Sequence, residues 1–143
     1  MAFDAQTNRI LQRRLLNTSL EAPAAGENYS GHQLLRINLR AGIPQAEIDQ
    51  LKQAIARWYT QGRTPVDVDG QHFRAQGLDI NGKPYGQSLP NVSISSSGNT
   101  ITIVANRENI DKSQQSRDYV FGTMSVLDRE IRTVANPAPG TVP

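Results

Sequence analysis

The sequence predicts an α+β domain, in which an antiparallel β-meander packs against a long C-terminal helix, with a second central helix and an N-terminal arm helix. Three observations favour this fold class. The longest segment with the helical period lies near the C-terminus. Three turn signals follow one another between residues 66 and 105, and a stretch rich in helix breakers follows the first helical segment. We therefore divide the chain into an arm helix with its linker (residues 1–30), one α+β domain (31–136) and a flexible Pro-rich tail (137–143).

The first helix is predicted to begin after Asp4, a good N-cap residue, and to end near Asn17. A helix of roughly 13 residues is marginal in water, so it must dock on its own domain or on a partner. Residues 21–30 are rich in small residues and helix breakers, which is typical of a linker and predicts that the helix is an arm. The residues that we assign to partner binding are Ile10, Leu11, Arg13, Arg14, Leu15 and Leu16, with the two arginines steering the encounter.

The next two elements are a strand and the central helix. Leu35, Ile37 and Leu39 alternate with polar residues, which is typical of a strand with one buried face. Pro44 suits the first turn of a helix, and Gly62 is expected to end that helix in the left-handed conformation. The apolar face of this helix is formed by Ile48, Leu51, Ile55 and Trp58. A Trp in register with three aliphatic residues favours a core position over a binding platform.

Two hairpins are predicted from the dipeptides Asp69-Gly70 and Asn81-Gly82, which are strong signals for two-residue loops. The pairs expected across them are Val66 with Phe73 and Leu78 with Tyr85. Together with the hairpin that follows, they predict an antiparallel meander over residues 66–105.

The third hairpin turns at residues 96–99, and its register is open: Ile94 faces either Ile101 or Ile103. A slip of two residues preserves the side, so Val92 and these three isoleucines share one face in both registers. That face is the expected seat of the C-terminal helix.

The C-terminal helix is predicted from Lys112 to Ala135, with Asp111 as its cap and Asn136-Pro137 as its stop. It would be about 36 Å long, enough to cross a small domain. Its apolar stripe consists of Val120, Met124, Leu127, Ile131 and Val134. Gly122, Thr123 and Ser125 would permit another backbone to approach closely, although packing of Gly122 against its own sheet is the favoured explanation.

Composition excludes several classes of protein. The chain has no cysteine, which excludes disulfides, thiol catalysis and thiolate metal sites. It shows no secretory signal and no run approaching the roughly 18 apolar residues of a membrane span. We therefore expect a cytoplasmic protein, or one incorporated in a virion assembled in the cytoplasm.

No motif for catalysis or metal binding is present. His32 and His72 are the only histidines, and no pattern places either beside a serine and a carboxylate, so we predict no catalytic residue, no cofactor and no enzyme. The repeated pattern at residues 67–70 and 79–82 offers oxygen ligands of the kind calcium binds, but position twelve of an EF-hand loop would be Leu78. Hairpin turns explain these residues better, and calcium is left as a disfavoured alternative.

These exclusions favour a non-catalytic structural or assembly subunit that acts through protein–protein contacts, with protein partners or copies of itself, as a homo-oligomer or part of a larger assembly. Small head–tail joining and tail subunits of bacteriophages combine α+β bodies with arms, so a virion component is one form such a subunit could take, by analogy of layout alone.

The alternative is a nucleic-acid-binding accessory protein. Its basis is a patch of arginines on the first helix and the first strand, formed if the two lie side by side. These arginines are Arg9, Arg13, Arg14, Arg36 and Arg40. Residues 33–40 lack the interleaved aromatics that stack on bases, so we rank this alternative second.

Overall fold

The computed structural model describes residues 2–21, 33–62, 64–73, 75–78, 84–85, 90–110 and 114–135. Within these residues lie three helices, α1 (Ala5–Arg14), α2 (Gln45–Gln61) and α3 (Gln114–Ala135), and a short 3-10 helix at Arg107–Asn109. The strands are β1 (Leu15–Glu21), β2 (Leu34–Leu39), β3 (Val66–Val68), β4 (Gln71–Phe73), β5 (Ala75–Leu78), β6 (Pro84–Tyr85), β7 (Val92–Ser97) and β8 (Thr100–Ala105). The predicted α+β fold with a long C-terminal helix is confirmed.

The main sheet has six strands in the order β1-β2-β8-β7-β3-β4, and β5 pairs with β6 apart from it. One face of this sheet carries the apolar core, because alternate residues of β2, β7 and β8 point to the same side. Leu11 of α1, Leu51 of α2 and Ile131 of α3 meet Ile37 and Ile101 around one small internal gap. All three helices therefore cover the same face of the sheet.

The predicted strand at residues 34–39 and the predicted central helix are both confirmed. Leu35, Ile37 and Leu39 are buried, and so is the apolar face of α2, including Trp58. The expected left-handed end of α2 is wrong, because Gly62 has φ −86°. Its N–H instead bonds the carbonyls of Trp58 and Thr60 with a right-handed backbone.

The hairpin at Asp69-Gly70 has the predicted register, with Val66 opposite Phe73. Asp69 and Gly70 have φ of 52° and 90°, as a two-residue type I′ turn requires, so glycine at the second position avoids backbone strain. The third hairpin turns at Gly98-Asn99 and pairs Ile94 with Ile103, which is the second of the two registers left open.

The hairpin around residues 79–83 has a different register from the one expected. Leu78 pairs with Pro84, and Tyr85 pairs with Ala75 across an irregularity, so the expected Leu78–Tyr85 pair is wrong. The turn itself lies outside the described residues.

The sheet is mixed rather than a pure meander. β3 pairs with β7 in parallel, with Val66 beside Val92 and Val68 beside Ile94. After β4 the chain leaves the main sheet, forms the β5-β6 pair and returns on the other side of β3. A return by this longer connection lets two strands run in the same direction, which a direct hairpin does not permit.

The N-terminal segment departs most from expectation. Asp4 caps α1 as predicted, since its Oδ1 accepts the Thr7 N–H at 2.7 Å, but the helix ends at Arg14. Residues 15–21 then form the edge strand β1, antiparallel to β2, with a bulge at Leu16. The helix packs on α2 and α3, so the separate arm predicted over residues 1–30 is wrong. The predicted linker and tail fall mostly or wholly outside the described residues.

The C-terminal helix follows its predicted stripe. Val120, Met124, Leu127 and Ile131 are buried, and Val134 packs at the margin of the core. The predicted cap Asp111 lies outside the described residues. Gly122 is exposed, and a Cβ added there would have no neighbour within 4 Å among the described residues, so its expected packing against its own sheet is wrong.

Candidate interaction surface

The six residues assigned to partner binding divide into three groups. Ile10, Leu11 and Leu15 are at most 7 % exposed and belong to the protein's own core, so the expectation that they await a partner is wrong. Leu16 is 52 % exposed, because the bulge takes it out of the alternation that buries Leu15. The two arginines lie between α1 and α2, where their partner is an acidic side chain of the same chain.

Arg13 and Arg14 both contact Glu47 in the first turn of α2. Nη2 of Arg13 is 3.3 Å from Oε2, and Nε of Arg14 donates to Oε1 at 2.9 Å. The hydrogen bond from Arg14 holds the pKa of the Glu47 carboxyl below its usual range. These arginines tie the first helix to the second, which leaves less of their charge for steering a partner.

The Glu47 contact predicts a pH-dependent stability. Since folding lowers the pKa of Glu47, the stability that it contributes is present above the carboxyl's ordinary pKa and is lost as the pH falls through the folded value. We expect Glu47→Gln to be less stable than the wild type at about pH 7. The difference should shrink as the pH falls below the carboxyl's ordinary pKa and vanish below its lowered folded pKa. Urea denaturation at several pH values measures this.

The control for this experiment is Glu108→Gln, which alters an exposed carboxylate in the 3-10 helix. We expect its stability to follow the wild type at every pH. A Glu47→Gln deficit that persists undiminished in acid would contradict an ionic origin for the contact.

The arginine patch expected for nucleic-acid binding is only partly brought together. Arg36 is paired in register with Ser19 and Thr102, on the side of the sheet opposite Ile37. Helix α1, which carries Arg13, packs on the Ile37 side. Arg36 also forms an ion pair with Glu21 at the end of β1. Arg36 therefore lies on the face of the sheet opposite the helix arginines, whereas the N–H of Arg40, just after β2, donates to the carbonyl of Arg14 at 2.7 Å. Nucleic-acid binding stays an untested prediction.

The face of the sheet opposite the helices is polar and partly exposed. Three rows cross it: Asn17, Asn38, Thr100 and Ser97, then Ser19, Arg36, Thr102 and Ser95, then Glu21, Leu34, Val104 and Ser93. The hydroxyl of Thr100 donates to Asn38 at 2.9 Å, and the amide of Asn38 donates to Asn17 at 2.7 Å. Cross-strand hydrogen bonds of this kind hold the side chains of neighbouring strands together.

This polar face ends at the free edge of β1. The strand has seven residues, and no other strand among the described residues pairs with its outer side. Its sequence contains no lysine, arginine or proline, and its one charged residue is Glu21 at the end. Of the features by which natural proteins protect an edge strand from pairing, β1 itself has the bulge at Leu16.

The described residues were compared with the arrangements needed for acid–base catalysis and metal binding. Nε2 of His72 is 3.6 Å from Oδ1 of the half-buried Asp67 on the neighbouring strand. The register also places Ser93 on the other side of Asp67, so the carboxylate and not the histidine lies between the other two groups, unlike the order in a catalytic triad. Asp69 bonds Nζ of the buried Lys52 at 2.6 Å, which uses one of the oxygens considered for calcium. Within the described segments, no group of three or more acidic or histidine side chains could hold a metal ion.

A groove lies between α1 and α2. One end, of about 280 Å³, is lined by Asp4, Gln6, Asp49 and Arg57 among others, and a second part of about 430 Å³ also includes Gln6. Its mixed amide, acidic and basic lining includes no buried ionisable group poised for acid–base catalysis.

Comparisons with known proteins give no guide to function. No protein-family model matches the chain, and neither curated proteins nor solved structures show a match. Among the described helices, none combines the length and apolar character needed to cross a bilayer.

The sequence analysis did not predict the edge strand β1, because the bulge at Leu16 breaks the period of two. The available signal was Thr18 and Leu20, which alternate with polar residues.

Proposed function

We propose that this protein is a non-catalytic assembly subunit that associates with copies of itself through the free edge of β1. The observation that supports this most is the seven-residue edge strand, uncharged over residues 15–20, with the half-exposed Leu16 near its start. An antiparallel edge strand leaves the N–H and C=O groups of every second residue without a partner, and a second strand satisfies them.

The sequence of β1 tolerates pairing with itself. In an antiparallel register centred on Thr18, Asn17 lies opposite Ser19 of the partner subunit. Each Glu21 then lies opposite Leu15 of the partner subunit, so the two acidic residues do not meet. Two-fold pairing of one strand with its copy is an isologous contact, the commonest kind in homo-oligomers.

The larger particle to which such a subunit belongs was predicted only by analogy. The analogy with bacteriophage virion parts included an N-terminal arm, and α1 packs inside the body instead. We therefore propose the assembly role without assigning it to a particle. The nucleic-acid alternative required one continuous arginine patch, and no observation now favours it over assembly.

The test uses amide hydrogen exchange of β1 at low and high protein concentration. We expect exchange of the outward N–H groups in residues 16–20 to slow by at least about tenfold as the concentration rises, because pairing protects them. Leu16→Lys places a charge at the edge and should abolish this dependence on concentration.

The matched control is Gln53→Lys, which adds the same charge on an exposed position of α2, away from the edge. We expect it to retain the concentration-dependent protection of β1. Exchange of β1 that is independent of concentration in the wild type would refute self-association through this strand.

A further inference from the structure

The outward face of α3 carries a second surface that the fold leaves uncovered. Residues 119, 122, 126, 129 and 133 recur at alternating steps of three and four, on the side of the helix opposite its buried stripe. They are Tyr119, Gly122, Val126, Arg129 and Thr133, and all five are exposed. Tyr119 and Val126 are 47 % and 44 % exposed, unusually high for large apolar residues in this protein. This spacing is the one with which a helix meets another helix.

Gly122 is not required by the protein's own packing. A Cβ at this position would meet no atom of the described part of the chain within 4 Å, and glycine weakens a helix relative to alanine. The notch that it leaves lies between the exposed side chains of Tyr119 and Val126. A side chain from another molecule can therefore approach the backbone of α3 more closely here than elsewhere on its outer face.

We propose that a second copy of this chain docks on this face, with the two α3 helices antiparallel. Val126 of each copy then fills the notch at Gly122 of the partner subunit, and Arg129 lies over the ring of Tyr119 of the partner subunit. Both pairs are centred on Met124, as a single two-fold axis requires. A single register therefore gives a partner to all four features: the notch, the exposed valine, the exposed ring and the exposed cation.

Charge determines the direction of the pair. A guanidinium over the face of a tyrosine ring is attracted by the ring's electrons. The hydroxyl of Tyr119 donates to the carbonyl of Gly62, which fixes the ring while leaving its face available. A parallel pair would instead oppose Arg129 to its own copy, which is unfavourable. This contact adds a second surface to the proposed self-association and does not use the β1 edge.

Cysteine crosslinking tests the register directly, because the chain has no cysteine of its own. We expect an equal mixture of Gly122→Cys and Val126→Cys to form disulfide-linked dimers at least about tenfold faster than either variant alone, since only the mixture opposes the two positions. A mixture of Gly122→Cys and Gln53→Cys is the control and should crosslink slowly. Rapid crosslinking of each variant alone would indicate a parallel pair and overturn the proposal, as would the absence of crosslinking in the mixture.

The same crosslinking is repeated in the Leu16→Lys background. Persistence of the mixed dimer there shows that the α3 contact holds without the β1 edge, whereas its loss there would contradict an independent α3 contact. Because β1 is followed by hydrogen exchange and α3 by crosslinking, failure of one proposal is distinguished from failure of the other.

A second measurement separates docking from helix stability. Gly122→Ala should raise the Tm of the monomer by about 2–4 °C, because alanine favours the helix and meets no neighbour. It should at the same time weaken the dimer, because its methyl group occupies the notch. Arg129→Gln should raise the dimer Kd about two- to fivefold while leaving the monomer Tm unchanged. A Gly122→Ala variant that is more stable and dimerises as tightly as the wild type would refute docking at this notch.

Discussion

Replacing Leu11 by alanine should lower the free energy of unfolding by about 2–5 kcal/mol, whereas Leu16→Ala should change it by about 0.5 kcal/mol or less. The two leucines lie five positions apart, and the same substitution removes the same atoms from each. Leu11 is 2 % exposed and borders the internal gap shared by all three helices, while Leu16 is 52 % exposed on the bulge of β1. Burial alone therefore separates the two expected effects.

The physical reason is the cavity left behind. Truncating Leu11 removes apolar contacts with a core whose strands hold Ile37 and Ile101 in fixed positions, so the surroundings cannot collapse fully into the space. Urea denaturation of the two variants measures the difference in their free energies of unfolding, provided that their m values are equal. Equal small losses for both leucines would mean that α1 is an arm after all, and the placement of this helix in the core would be wrong.

The sequence was most informative where one local rule decided the structure. The Asp69-Gly70 dipeptide favours a two-residue turn with positive φ at both positions. A loop of that length is enough to predict the register that pairs Val66 with Phe73. The helical stripe that runs from Val120 to Ile131 was equally clear, because its apolar residues repeat with the helical period over three turns. In both places the signal lies within a short stretch of chain.

The sequence was least informative where distant segments decide the structure. Nothing local to Val66 and Val92 states that their strands run parallel, since that depends on the path of the chain between them. Leu15 and Leu16 extend the helical pattern of α1, but pairing of Leu15 with Leu39 draws them into a strand. Tertiary contacts override helix propensity at such a boundary. The partner-binding assignment failed for the same reason, because burial of Leu11 depends on helices far along the chain.

The exposed surfaces could be predicted only in part. Gly122 was noted as a place of close approach, but the direction in which it faces depends on which side of α3 packs on the core. The free edge of β1 depends on the order of the strands, which no local pattern specifies. Candidate contacts in this protein therefore follow from its topology, and the sequence supplies only the residues that occupy them.

Trp58→Ala should lower the free energy of unfolding by about 3–5 kcal/mol, the range typical of removing a buried aromatic side chain. Trp58 is 5 % exposed, its ring meets that of Tyr59 edge to face at 5.1 Å, and its Nε1 donates to Oε2 of Glu130 at 2.7 Å. That hydrogen bond joins α2 to α3. The side chain thus contributes both apolar burial and a charge-assisted link between two helices.

Trp58→Phe and Glu130→Gln separate these two contributions. Phenylalanine keeps most of the apolar contact and loses the donor, so we expect a smaller loss of about 1.5–3 kcal/mol. Glutamine keeps an acceptor and loses the charge, so the cost should be smaller again. If Trp58 were a binding platform rather than core, Trp58→Phe would leave the unfolding curve unchanged, and the same denaturation experiment would show it. A buried ring that bridges α2 and α3 predicts the opposite, because its loss separates the two helices that close the core over the sheet.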